Sequence, residues 1–113
     1  MKRYSAMLTY TENDGFEIQH EGNRYRVCGY CDGEYFCYFN PNEPASANIV
    51  CIEFNAWVED IWDKNGEKVD ITLTDDEFEL FKQYMAPRLD EVAKNYDFPK
   101  NYFDVYDVED LKR

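Results

Sequence analysis

Residues 24–39, RYRVCGYCDGEYFCYF, hold three of the four cysteines and the clearest strand signal in the chain. At their centre stands Asp32-Gly33, a dipeptide suited to a type I′ turn, where both central residues need positive φ. The spacing predicts a β-hairpin with Tyr30 opposite Tyr35 and Cys28 opposite Cys37. Alternation then places Arg26, Cys28, Tyr30, Tyr35, Cys37 and Phe39 on one face and Tyr25, Val27, Cys31, Phe36 and Tyr38 on the other. Both faces are largely apolar, so this hairpin is expected in the middle of a sheet covered on at least one side.

Upstream, residues 4–10 alternate Tyr4, Ala6, Leu8 and Tyr10 with Ser5, Met7 and Thr9, the period of a half-buried strand. The polar run at 11–15 reads as a turn, and 16–20 alternates again with Phe16, Ile18 and His20 on one face. Glu21-Gly22-Asn23 leads into the central stretch, so the first four strands read as a meander. Downstream, Pro41 and Pro44 make 40–44 a loop. Residues 49–54 read as a strand, and 57–64 with 67–73 as a second hairpin through a type I′ turn at Asn65-Gly66.

Thr74-Asp75-Asp76-Glu77 has the form of a capping box, which starts a helix at Asp75. The stripe Phe78, Phe81, Met85, Leu89, Val92, Tyr96 keeps steps of three and four residues, so a single face is buried over 75–96. The stripe stays in phase across Pro87, which predicts a kinked helix, or two abutting ones, and not a real break. Residues 102–105 read as a last short strand and 108–111 as a terminal helical turn. The fold class that results is α+β: a single domain over residues 1–113 with an antiparallel sheet of about six strands and one helix packed across a face.

Composition narrows function more than any motif does. Twenty-four acids against twelve Lys and Arg leave a net charge of −12, and the imbalance is uneven. Residues 1–52 hold seven acids and four bases, a balance of −3, whereas 53–113 hold seventeen and eight, a balance of −9. Phosphate binding runs on clustered cations, so direct nucleic-acid binding is not expected. A basic protein partner is expected instead, reached through long-range attraction. No stretch of the first thirty residues resembles a signal peptide and no run has the length of a membrane span, so a soluble, cytoplasmic protein with reduced thiols is expected.

Chemical motifs are weak. Cys28-Gly29-Tyr30-Cys31 resembles half of a zinc knuckle, but Cys37 and Cys51 are single and the strand register sends Cys28 and Cys31 to opposite faces. No metal, no cofactor and no catalytic residue is therefore assigned. His20, the only histidine, shares a face with Phe16 and Ile18 and reads as packed; neither Ser5 nor Ser46 has a nucleophile-elbow context, and no glycine-rich phosphate loop exists. The expectation is a binding protein and not an enzyme. Its candidate partner-binding residues are Asp76, Glu79, Leu80, Asp90 and Glu91 on the outer flank of the helix, with Asp104, Asp107, Glu109 and Asp110 in the tail. In size and charge the chain resembles small antagonists encoded by phages, mobile elements and toxin–immunity loci, which suggests a charge mimic of nucleic acid that inhibits its partner. An accessory subunit binding through the aromatic-rich sheet is one alternative, and a small zinc module another.

Overall fold

The computed structural model describes residues 2–39, 48–98 and 104–107. Strand β1 spans Lys2–His20, β2 Asn23–Phe39, β3 Ile49–Asp63, β4 Lys68–Val69 and β5 Asp104–Asp107, with helix α1 at Asp75–Lys94 between β4 and β5. The strands form an antiparallel sheet in the order β4-β3-β2-β1-β5. The α+β class is as expected. The sheet differs: three long strands are flanked by two short ones, where the sequence pattern suggested about six.

The largest correction lies in residues 24–39, which do not turn. Gly33 keeps its place in a continuous 17-residue β2, opposite Leu8 on one side and Phe54 on the other. What the strand glycines supply is room. A Cβ on Gly33 would lie 2.8 Å from both Leu89 Cδ2 and Tyr35 Cε1, and one on Gly29 would lie 2.0 Å from the Trp57 carbonyl oxygen. Cys28 and Cys37 therefore do not face each other. They lie nine residues apart on one strand, roughly 30 Å at 3.3 Å per residue, on opposite faces.

The type I′ signature appears instead at the β1–β2 connection, where Glu21 (φ 51°) and Gly22 (φ 82°) turn the chain between the paired His20 and Asn23. The expected turn at 11–15 is a bulge within β1. From the Glu12–Gly29 pair to the Phe16–Val27 pair β1 advances four residues while β2 advances two, and Gly15 takes a φ of 93°. β3 also runs without a break through 49–63, with bulges opposite Cys28/Gly29 and Glu34/Tyr35. All these irregularities sit on β1 and β3, so β2 stays regular between them.

Asn65-Gly66 does turn β3 into β4, but not as type I′, since of the pair only Gly66 has positive φ, 78°. Asp63 holds the turn: its carbonyl accepts from the Gly66 amide at 3.0 Å, and its carboxylate accepts from the amides of Asn65 at 2.8 Å and Glu67 at 2.9 Å. After Val69 the chain leaves the ladder, so the strand expected over 67–73 is reduced to two residues.

Helix α1 begins with both halves of the capping box: the Glu77 amide donates to Thr74 Oγ1 at 3.2 Å and the Thr74 amide to Glu77 Oε1 at 2.8 Å. It is continuous across Pro87, and because Gln83 and Pro87 are both exposed, the carbonyl freed by the proline is open to water. It ends at Lys94, two residues short of expectation. Phe81, Met85, Leu89 and Ala93 are fully buried. They meet Ala6, Leu8 and Ile18 of β1 and Val27, Cys31, Tyr35 and Cys37 of β2 in one core, each large side chain contributing about 2 kcal/mol. Of the last strand expected over 102–105, residues 104 and 105 open β5, which runs on to Asp107, and 102–103 lie outside the described residues. The loop expected at 40–44 and the turn expected at 108–111 lie outside the described residues.

Two stability measurements check this packing by urea denaturation. Phe81→Ala should cost about 3–5 kcal/mol, and exposed Glu79→Ala less than about 0.5 kcal/mol. Gly29→Ala should cost about 3 kcal/mol or more, because the atom its methyl meets is backbone and has little room to yield. A harmless Gly29→Ala would contradict the close approach of β2 and β3.

Candidate functional site

The outer side of α1 carries most of the residues singled out from sequence. Asp76, Glu79, Asp90 and Glu91 are exposed, and Leu80 stands among them at 50% exposure. From Asp76 to Asp90 the ridge runs roughly 21 Å at 1.5 Å per residue. Asp76 lies in the first turn, where the helix dipole favours carboxylates. Glu79 reaches Lys82 at 3.5 Å and Glu91 reaches Lys94 at 4.0 Å, exposed pairs worth only a few tenths of a kcal/mol. These three carboxylates are free to meet a partner.

Asp90 has another task. It accepts a 2.6 Å hydrogen bond from the Tyr35 hydroxyl, and Tyr35 is only 2% exposed, so this carboxylate ties α1 to β2. Burial, and then the bond to Asp90, push the Tyr35 phenol well above its ordinary range. Asp104 and Asp107 are not on the helix flank: β5 borders Lys2–Ser5 of β1, at the sheet end reached by the C-terminal half of α1. Glu109 and Asp110 lie outside the described residues.

A second cluster was not visible as a cluster in the sequence. Glu12, read as part of a turn, is 6% exposed beneath the helix. It accepts from Tyr84 Oη at 2.5 Å, from Tyr10 Oη at 3.3 Å and from the Asp14 amide at 3.2 Å. Arg88 Nε lies 3.9 Å away, with its guanidinium 3.4 Å over the Tyr84 ring, and Phe16 stacks on the same tyrosine at 4.4 Å. Burial alone would raise the Glu12 carboxyl, but the donors from Tyr84, Asp14, Gly15 and Tyr10 outweigh it and hold it below its ordinary 4.5. Every contact of Glu12 belongs to the fold, so it acts as a clamp between the β1 bulge and the helix. His20 is similar in kind, with Nδ1 at 2.7 Å from Glu77 Oε1 and its ring against Tyr25.

The cysteines stay apart. Cys31 and Cys37 lie in the core under α1, whereas Cys28 is on the helix-free face, its thiol donating to the Asn13 carbonyl at 3.4 Å. Burial pushes the Cys31 thiol up to about 11 and raises Cys28, Cys37 and Cys51 as well, which leaves little thiolate for attack or ligation. Among the described residues no three His, Cys, Asp or Glu side chains converge to hold a metal ion, and no helix is long and apolar enough to cross a membrane.

Among the described residues the helix-free face of the sheet is the other open surface. Met7, Val50 and Trp57 are exposed there at 57%, 45% and 41%, and Trp57 stacks on Tyr30 at 4.9 Å. Arg3 covers Phe36 at 4.1 Å. Glu34 and Glu53 stand directly opposite each other on this face, an arrangement that destabilises a sheet unless a cation lies nearby. No protein-family model matches the chain, and no curated protein or solved structure is similar to it.

The Glu12 clamp has a pH signature. Its folded carboxyl titrates below the unfolded value of about 4.5, so its contribution is complete above that pH and fades as pH falls through the folded value. The stability difference between wild type and Glu12→Gln should accordingly be largest near neutrality and shrink on acidification below about pH 4.5. Unfolding free energies at a series of pH values would show this, and a constant difference would contradict an ionised Glu12.

Proposed function

We propose that this domain works by binding, as an acidic antagonist that docks on a basic protein and covers the surface with which that protein holds nucleic acid. The observation that supports this best is the outer ridge of α1, where Asp76 and Glu79 flank the half-exposed Leu80 and Glu91 continues the ridge about 16 Å further along, none of them needed to hold the fold. The balance of −9 over residues 53–113 places that ridge in a negative field. An apolar anchor within a frame of carboxylates matches a basic surface in both charge and contact, and exposed charges mainly speed the encounter. A second reading, an accessory subunit held through the sheet, is favoured by the exposed Met7, Val50 and Trp57.

The test begins with capture of partners from host lysate and continues with kinetics on the purified complex. Reversing Asp76, Glu79 and Glu91 to lysine should slow association and weaken binding while the thermal transition is retained. Raising salt should have the same effect on wild type, since exposed charges are screened within about 8–10 Å. Duplex DNA or RNA should compete with the domain for the partner. Reversal of Glu17 and Glu21 should matter less. Binding that ignores salt and the helix reversals, but is lost in Met7→Ser with Trp57→Ser, would replace this reading with the second.

A further inference from the structure

Among the described residues β3 is open along most of its outer edge. Its inner edge pairs with β2 from end to end, but among the described residues its outer edge pairs only at Ile61 and Trp62, with β4. Beyond Val69 the chain swings away as residues 70–73 without joining the ladder, and it returns at the start of α1. Between this segment and β3 lies an open groove of about 810 Å³, lined by Ala56, Val58, Ile71, Leu73 and Phe78. Glu59, Asp70 and Asp75 stand on its margin. Its lysine, Lys68, is already held by Asp60 at 2.8 Å.

An open strand edge offers unpaired backbone donors and acceptors at every second residue, which is the template for adding an extended chain. Apolar walls beside it select alternate side chains of the added strand, and the acidic margin selects the residues between them. We propose that the outer edge of β3 is a strand-docking site for an extended segment of the basic partner, in which apolar residues alternate with lysine or arginine. This rests on the reading of the domain as a binder of basic proteins and names how such a partner is gripped. A second copy of this chain fits poorly: each carries −12, and edge-to-edge pairing would bring together the exposed Glu53 and Glu59 of both. The Glu34–Glu53 pair on the adjoining sheet face adds negative charge beside this edge.

The probe is a phage-displayed library of random peptides about nine residues long, which covers most of the open edge. It is selected on the purified full chain, and the enriched peptides are synthesised. Enriched sequences should alternate apolar and basic residues, and their binding should slow amide exchange at alternate positions of 50–60. Ala56→Arg, which fills the groove and repels cations, should weaken binding at least about tenfold, equivalent to about 1.4 kcal/mol. Ile71→Lys, in a segment with no ladder bonds to lose, gives the same reading if Ala56→Arg does not fold. Salt-sensitive basic peptides that protect α1 instead of β3, and are indifferent to both variants, would overturn the docking edge and leave the acidic-antagonist reading standing. Enrichment of no basic peptide at all would overturn the docking edge, whereas the antagonist reading stands or falls with the reversals on α1.

Discussion

The close approach of α1 and β3 to the middle strand is the constraint from which the rest of this structure follows. Gly33 admits Leu89 from the helix, and Gly29 admits the Trp57 carbonyl from the β3 bulge. With no side chain at either position, the helix settles along β2 and seats Phe81, Met85, Leu89 and Ala93 in one continuous core. The bulges fall on β1 and β3, which leaves β2 regular between them. Among the described residues α1 covers one sheet face only, and the outer edge of β3 pairs only at Ile61 and Trp62.

The many carboxylates divide between two tasks. Glu12, Asp63, Glu77 and Asp90 are engaged by the fold: a clamp under the helix, a turn, a cap and a tie from α1 to β2. Asp76, Glu79 and Glu91 make at most weak ion pairs on the outer ridge, and Glu53, Glu59 and Asp70 stand around the β3 edge. On the proposed reading the second group forms the recognition surface, and its residues should change sign at little cost to stability. Their placement on the helix and β3 side agrees with the skew of charge along the chain.

Much of this was legible in the residues themselves. The capping box at Thr74–Glu77, the stripe through Phe81 and Leu89, and the alternation of Tyr4, Ala6 and Leu8 report local geometry, and local geometry is what side-chain order encodes. Asp32-Gly33 misled because a glycine required for contact looks the same as a glycine required for positive φ. Which one it is depends on Leu89, 56 residues away. At residues 11–15 the polar run that resembles a turn is a bulge, and Glu12 in fact continues the inward phase of Leu8 and Tyr10, a signal present in the alternation. The links from Glu12 to Tyr84 and from Tyr35 to Asp90 join residues 72 and 55 positions apart and have no local trace.

Residue-by-residue amide exchange, followed by NMR, tests the central claim most directly, because a continuous β2 and an open β3 edge leave opposite marks. The account predicts that the amides of Asp32 and Gly33 exchange as slowly as those of Cys31 and Tyr35, near the limit set by global unfolding, while every second amide between residues 50 and 60 exchanges far faster. Rapid exchange at Asp32 and Gly33 would mean that the chain turns there. The helix would then have no unbroken strand to lie on, and the surfaces assigned to recognition would not be where this account places them.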